Sequence, residues 1–158
     1  MGGTVMPAVK SSASVTRGAL ADRPSCEREL VVSTAFDMGQ VLDKIAIELA
    51  AAKYRAQDIF AVRLALEEAV TNGMKHGNEG DARKRVQIHY RLDRECLIAS
   101  VQDEGPGFDP QDVPDPTAPE NLQRPSGRGI FLMHHFMTWV RFNEKGNCVT
   151  LCKYRKAS

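Results

Sequence analysis

The sequence predicts an α+β fold. Its form is a two-layer α/β sandwich: a mixed, mostly antiparallel sheet covered on one face by helices. Three observations carry this. Apolar residues recur at helical spacing in three stretches, residues 36–53, 58–76 and 127–136. Short alternating or β-branched runs come in pairs across turns, at 85–101 and 139–154. The resulting order, β-α-α-β-β-loop-α-β-β, puts hairpins beside helices, and such chains gather their helices on one face of an antiparallel sheet.

The totals agree with one domain. A chain of 158 residues can bury a real core. Its 42% hydrophobic and 26% charged content is ordinary for a globular protein. A formal net charge of +1 gives no electrostatic case for direct nucleic-acid binding or for an anionic membrane surface. No apolar run reaches the ~20 residues of a membrane span. The N-terminus lacks the apolar core of a signal peptide. Cys26, Cys96, Cys148 and Cys152 form no metal-type spacing. They read as free thiols, with Cys148 and Cys152 on one strand face, in a reducing cytoplasm.

Taken in order, residues 1–26 are rich in small residues without periodicity, which predicts a flexible tail before a domain at 27–158. A short strand is expected at 29–33. Residues 36 to about 53 form an amphipathic helix with Val41, Leu42, Ile45, Ile47 and Leu49 as its apolar set. The second helix, residues 58–76, buries Ile59, Val62, Leu66, Ala69 and Val70. Asp58 is placed to cap its start, and Gly77 to end it in the left-handed conformation. A turn-rich break at 77–81 leads to a hairpin, whose first strand turns Val86, Ile88, Tyr90 and Leu92 to one face. Six of the eight prolines lie between Asp103 and Gly127, and a loop of that length is usually functional, often a lid. A third helix opens at Gly127, and the closing hairpin spans 139–142 and 148–154.

The polar register of the second helix is unusual. Glu68, Asn72 and His76 follow at i, i+4 and i+8, so they stack along one flank. A carboxamide oxygen is a hard ligand suited to Mg²⁺ carried by phosphates. A carboxylate one turn earlier can take a proton from a nucleophile. Glu67 lacks that spacing and reads as a solvated neighbour. Gly73, inside the helix, costs about 1 kcal/mol relative to Ala and suggests close approach by a ligand or a backbone. Asp103 leaves a buried strand beside Gly105 and Gly107. A carboxylate there can accept from an exocyclic amine, while the glycines let backbone approach a flat ring. Gly127-Arg128-Gly129 runs into a helix, where free N–H groups make an anion site. Arg124 and Ser126, just before it, add charge and a hydroxyl. The dinucleotide GxGxxG and the Walker GxxxxGK[ST] are both absent.

Glu68-Ala-Val-Thr-Asn72 with His76-Gly77, then Asp103-Glu-Gly-Pro-Gly107, then Gly127-Arg-Gly129, resemble the three nucleotide-binding boxes of the Bergerat-fold (GHKL) ATP-binding domains. The nearest resemblance is to the anti-sigma-factor serine/threonine kinases of bacterial partner switching, and it covers residues 29–153. It implies ATP and Mg²⁺ as cofactors, with Asn72 on the metal and Glu68 as general base. It also implies that Asp103 reads the adenine amine, that Gly105 and Gly107 shape the adenine pocket, and that Gly127 and Gly129 cradle phosphates. Arg124 would lie near the phosphates or a partner, in a segment completed by Ser126 and Arg128. The implied partners are a sigma factor and a STAS-type antagonist that is phosphorylated on Ser or Thr. Related proteins are commonly homodimers. Two departures stand out: Pro125 separates Arg124 from Ser126, and Asn147 follows Gly146 where many relatives have a small hydroxyl residue. The alternative reading is an ATP-gated binding module with little kinase activity. A sensor histidine kinase fragment is disfavoured, because no His precedes residue 29.

Overall fold

Residues 26–109 and 125–157 are described by a computed structural model. Five strands, β1 (Cys26–Val32), β2 (Val86–Leu92), β3 (Cys96–Gln102), β4 (Trp139–Phe142) and β5 (Cys148–Tyr154), form one sheet in the order β1-β2-β3-β5-β4. Every neighbouring pair is antiparallel, so among the described residues the sheet is uniform rather than mixed. Helices α1 (Ala35–Ala51), α2 (Ala56–Asn72) and α3 (Pro125–Phe136) form the second layer. The predicted tail overlaps the sheet at one residue, since Cys26 begins β1; residues 1–25 lie outside the described part. So do residues 110–124 of the predicted lid.

Strand alternation decides which face meets the helices. In β2, Val86, Ile88, Tyr90 and Leu92 are buried while their neighbours are exposed. They join Leu97, Ala99 and Val101 of β3 and Val149 and Leu151 of β5 in the core. From the helices come Ile45 and Leu49 of α1, Val62, Leu66 and Val70 of α2, and Met133 of α3. A Leu→Ala change at such a position typically costs 2–5 kcal/mol. Ile47 is the exception to the predicted set. It is 71% exposed, because it falls two residues past Ile45, on the opposite side of a 3.6-residue turn.

Helix ends differ from expectation in instructive ways. Thr34 caps α1 in a reciprocal box: its hydroxyl accepts from Asp37 N–H at 3.1 Å, and Asp37 accepts from Thr34 N–H at 2.9 Å. The bond from Ser33 N–H, then those at the Thr34 side chain and N–H, hold the Asp37 carboxyl below its usual range. Asp58 does not cap α2. It lies inside the first turn, buried, and pairs with Arg55 at 2.8 Å and Lys153 at 3.7 Å. Lys153 also donates to the Phe136 carbonyl at 2.6 Å. That cation ties the C-terminus of α3 to the start of α2, and so aims the opposite end of α3 at the end of α2.

Candidate functional site

The last turn of α2 sets the geometry. The α-helix stops at Asn72 and continues as a π turn over Gly73–Gly77, closed by Asn78 N–H on the Gly73 carbonyl at 2.7 Å. Single π turns are rare and concentrate at functional sites. The π turn begins after Asn72, so Glu68 and Asn72 keep their α-helical spacing, and His76 lines the same cavity as Asn72. Gly77 is not left-handed; the positive φ falls later, on Glu79 (54°) and Gly80 (70°). Gly77 is needed for space instead, because a Cβ there would overlap the Asp103 carboxylate. Gly73 is tight for a similar reason. Its Cβ would sit 3.2 Å from Val86 and 3.4 Å from Asp103, so the close approach is by two side chains rather than by a backbone.

Asp103 is held from both sides. Its N–H donates to the Asn147 carbonyl at 2.9 Å, and its carboxylate accepts from Gly105 N–H at 2.8 Å. Asn147 is in turn locked to Asn143, which donates to its side-chain oxygen at 2.7 Å and accepts from its N–H at 3.0 Å. Gly105 packs on the end of the π turn, where a Cβ would overlap the Gly77 carbonyl. Gly107 has φ +80, and a Cβ there would strike the Lys145 carbonyl. This close seating lets Phe108 meet Phe142 edge-on at 5.4 Å. Burial pushes the Asp103 carboxyl above its ordinary range, and the Gly105 N–H only partly offsets that.

The start of α3 meets Glu68 and Asn72. A Cβ on Gly129 would lie 2.8 Å from the Glu68 carboxylate and 3.0 Å from the Asn72 carboxamide. Among the described residues, neither of those two side chains has a hydrogen-bond or ion-pair partner. Both are half-buried, so the carboxylate and the carboxamide stand together, open to solvent, beside the start of α3.

Between these parts lies a cavity of about 400 Å³. Asn72, His76 and Asp103 contribute its polar wall; Val101, Phe108, Ile130, Met133, Phe142 and Val149 contribute apolar surface. That size and character suit a small ligand with a flat apolar part. Of the sequence-selected residues, Asn72, Gly73, His76, Gly77, Asp103 and Gly107 line it directly. Gly105 lies beneath the loop, and Glu68 and Gly129 stand together beside Asn72. Gly127 falls in the first turn of α3, and Arg128 is exposed. Arg124 and the side chain of Ser126 are outside the described residues. Glu67 is exposed, as expected of a solvated neighbour. Asn147, noted above only as a departure, lines the cavity. Sequence reasoning missed Asn78 and the apolar wall; alternation in β3 and β5 was the available signal for the wall. Cys96, Cys148 and Cys152 are free thiols.

No group of three or more His, Cys, Asp or Glu among the described residues could hold a metal ion. Asn72 alone fits a cation that arrives with a polyphosphate and keeps most of its own ligands, which is the habit of Mg²⁺.

The arrangement has counterparts. Residues 31–153 match the model of the histidine kinase-like ATPase domain.

The chain belongs to the histidine kinase-like ATPase family.

Within it, the chain is 35% identical over 105 residues to the anti-sigma F factor of Bacillus thuringiensis (strain Al Hakam), covering 62% of this chain and 70% of that protein. The anti-sigma F factor of Bacillus mycoides (strain KBAB4) gives the same figures. A solved structure of the RsbU and RsbW domains of Rv1364c from Mycobacterium tuberculosis shares the fold, with a TM-score of 0.54 at 16% identity. That match covers 83% of this chain and 34% of the other, so the present chain spans about a third of its length. The family assignment agrees with the three boxes read from the sequence. No helix among the described residues is long and apolar enough to cross a membrane.

Proposed function

We propose that this chain is a cytoplasmic anti-sigma factor that binds ATP with Mg²⁺ and phosphorylates a Ser or Thr of a STAS-type antagonist. The observation that carries this reading is the convergence of three distant segments on one cavity: Asn72, Asp103 and α3, which opens at Pro125 rather than at Gly127 and carries Gly127 and Gly129 in its first turns. The similarity to Bacillus anti-sigma F factors supports the regulatory part.

Each residue then has a task. Asp103 accepts from the adenine amine at the cavity floor. The N–H groups of the first turn of α3 face the phosphates, with Gly127 and Gly129 giving the room. Asn72 would hold the Mg²⁺ that neutralises phosphate charge. Glu68, unpaired and one turn from Asn72, takes the proton of the acceptor hydroxyl as the phosphoryl group moves. Phosphoryl transfer asks mainly for positioning and charge, and these groups are fixed on helix and strand ends. The experiment is incubation with labelled ATP and the antagonist candidates encoded beside the gene. Label on an antagonist Ser or Thr supports the kinase; binding without transfer favours the ATP-gated module.

Two further results are expected. Asp103→Ala should lower ATP affinity roughly tenfold to a hundredfold, and Asp103→Asn less, by the value of a hydrogen bond to a charged group. The bond needs the carboxylate. Because burial raises the Asp103 pKa, ATP affinity should weaken as pH falls through a value above the ordinary Asp range. Stability moves the opposite way: a carboxyl that is easier to protonate when folded favours the folded state as pH falls toward its unfolded pKa. Titration calorimetry across pH checks the first effect, and in Asp103→Asn that pH dependence should vanish.

Gly129→Ala should fold, because its Cβ meets the ends of the Glu68 and Asn72 side chains and not backbone. It should push the Glu68 and Asn72 side chains aside, so transfer drops about tenfold or more, as expected when general-base positioning is lost, and Mg²⁺-ATP affinity falls with it. Wild-type transfer and ATP affinity in the folded variant would remove Gly129 from this corner of the site.

A further inference from the structure

Asn78 lines no part of the cavity, yet it is 1% exposed, the least of the buried polar and charged residues described. Its backbone does not explain it. Its φ is −83°, a conformation open to any residue, and the left-handed positions are Glu79 and Gly80. Its side chain explains it better. The Oδ1 accepts from Glu104 N–H at 2.8 Å, and the Nδ2 donates to the Arg85 carbonyl at 3.1 Å. Its own N–H closes the π turn on Gly73. The Glu104 carboxylate accepts from Arg85 N–H, so both backbone groups of Arg85 are tied into the same clip. One buried amide thus joins the end of α2, the entrance to β2 and the loop after β3.

We infer that Asn78 is a positioning residue that holds the Asp103 carboxylate in register, and thereby sets the base preference of the site without touching the nucleotide. The peptide N–H of Asp103 is anchored by Asn147, and the next N–H, of Glu104, by Asn78. With both fixed, the plane between them cannot rotate, and Gly105 N–H lands on the Asp103 carboxylate. Remove the second anchor and the loop turns about residue 104, carrying Gly105 off the carboxylate. The side chain can then point an oxygen at the cavity in more than one direction. A carboxylate fixed in place discriminates an amine from a carbonyl on the base; a swivelling one does not.

The test uses the full chain and two variants. Asn78→Ala removes both side-chain bonds. Asn78→Asp keeps the acceptor for Glu104 and loses the donor to Arg85. Amide hydrogen exchange without nucleotide should show Glu104 and Gly105 losing protection at least tenfold in Asn78→Ala and little in Asn78→Asp. Calorimetry with Mg²⁺-ATP and Mg²⁺-GTP should show the preference for ATP collapsing to within threefold in Asn78→Ala and surviving in Asn78→Asp. Both variants melt earlier than wild type, so a lower Tm alone does not distinguish them. The nucleotide arm rests on the ATP reading above; the exchange arm does not. Wild type that binds neither nucleotide overturns that reading and leaves exchange to decide the clip. Unchanged protection at Glu104 and Gly105 in folded Asn78→Ala overturns the inference, as does an ATP preference equal to wild type. If Asn78→Ala does not fold, a base preference lost in Asn78→Asp with Glu104 protection intact overturns it.

Discussion

Glu68→Gln should leave the protein folded and able to bind ATP, and should slow phosphoryl transfer by about 10²- to 10⁴-fold. The substitution is nearly isosteric and keeps the flank polar. It sits in the last turns of α2, where Gln is a good helix former, so propensity does not change the outcome. Glu68 has no hydrogen-bond partner among the described residues, so no internal bond is lost with its charge. On the proposed reading, what is lost is the base. A loose transition state asks less of a base, which points to the lower end of that range. Binding of the sigma factor should survive. The assay is antagonist phosphorylation beside an ATP titration, for both proteins. Transfer at the wild-type rate would remove Glu68 from the chemistry.

Asn72→Ala should abolish Mg²⁺-dependent ATP binding with the fold intact. Ala is the best helix former, and the Asn72 carboxamide also has no internal partner to orphan. The loss should show as a difference: wild-type affinity falls when Mg²⁺ is chelated, whereas the mutant gives the same weak value with and without it. Calorimetry with and without chelator reads this directly. An affinity equal to wild type with Mg²⁺ present would sink the metal role of Asn72.

Much of this site was legible because its parts are local. The Glu68–Asn72 pair needs only helical spacing, and Asp103-Glu-Gly-Pro-Gly107 and Gly127-Arg-Gly129 are short strings whose glycines have backbone reasons. The fold was legible from alternation, most clearly in β2. What was hidden depends on distant segments meeting. The π turn exists where Gly77 must clear the Asp103 carboxylate, a contact between residues far apart in sequence. Read locally, Gly77 looked like an ordinary left-handed helix end. Asn78 sat in a turn-rich run where Asn needs no special reason, and its burial comes from partners 7 and 26 residues away. Asp58 looked like a cap because it stands near a helix start. The arginine three residues before it was the signal for an ion pair instead.

Titration of the full chain with Mg²⁺-ATP and Mg²⁺-GTP, followed by the backbone amide signals, tests the central claim most directly. The account predicts saturable shifts with ATP at Asn72, Gly107 and Gly129, and at least a tenfold weaker response to GTP, from the value of one charge-assisted hydrogen bond at Asp103. Shifts of equal affinity with both nucleotides, or none at these residues with ATP, would contradict it.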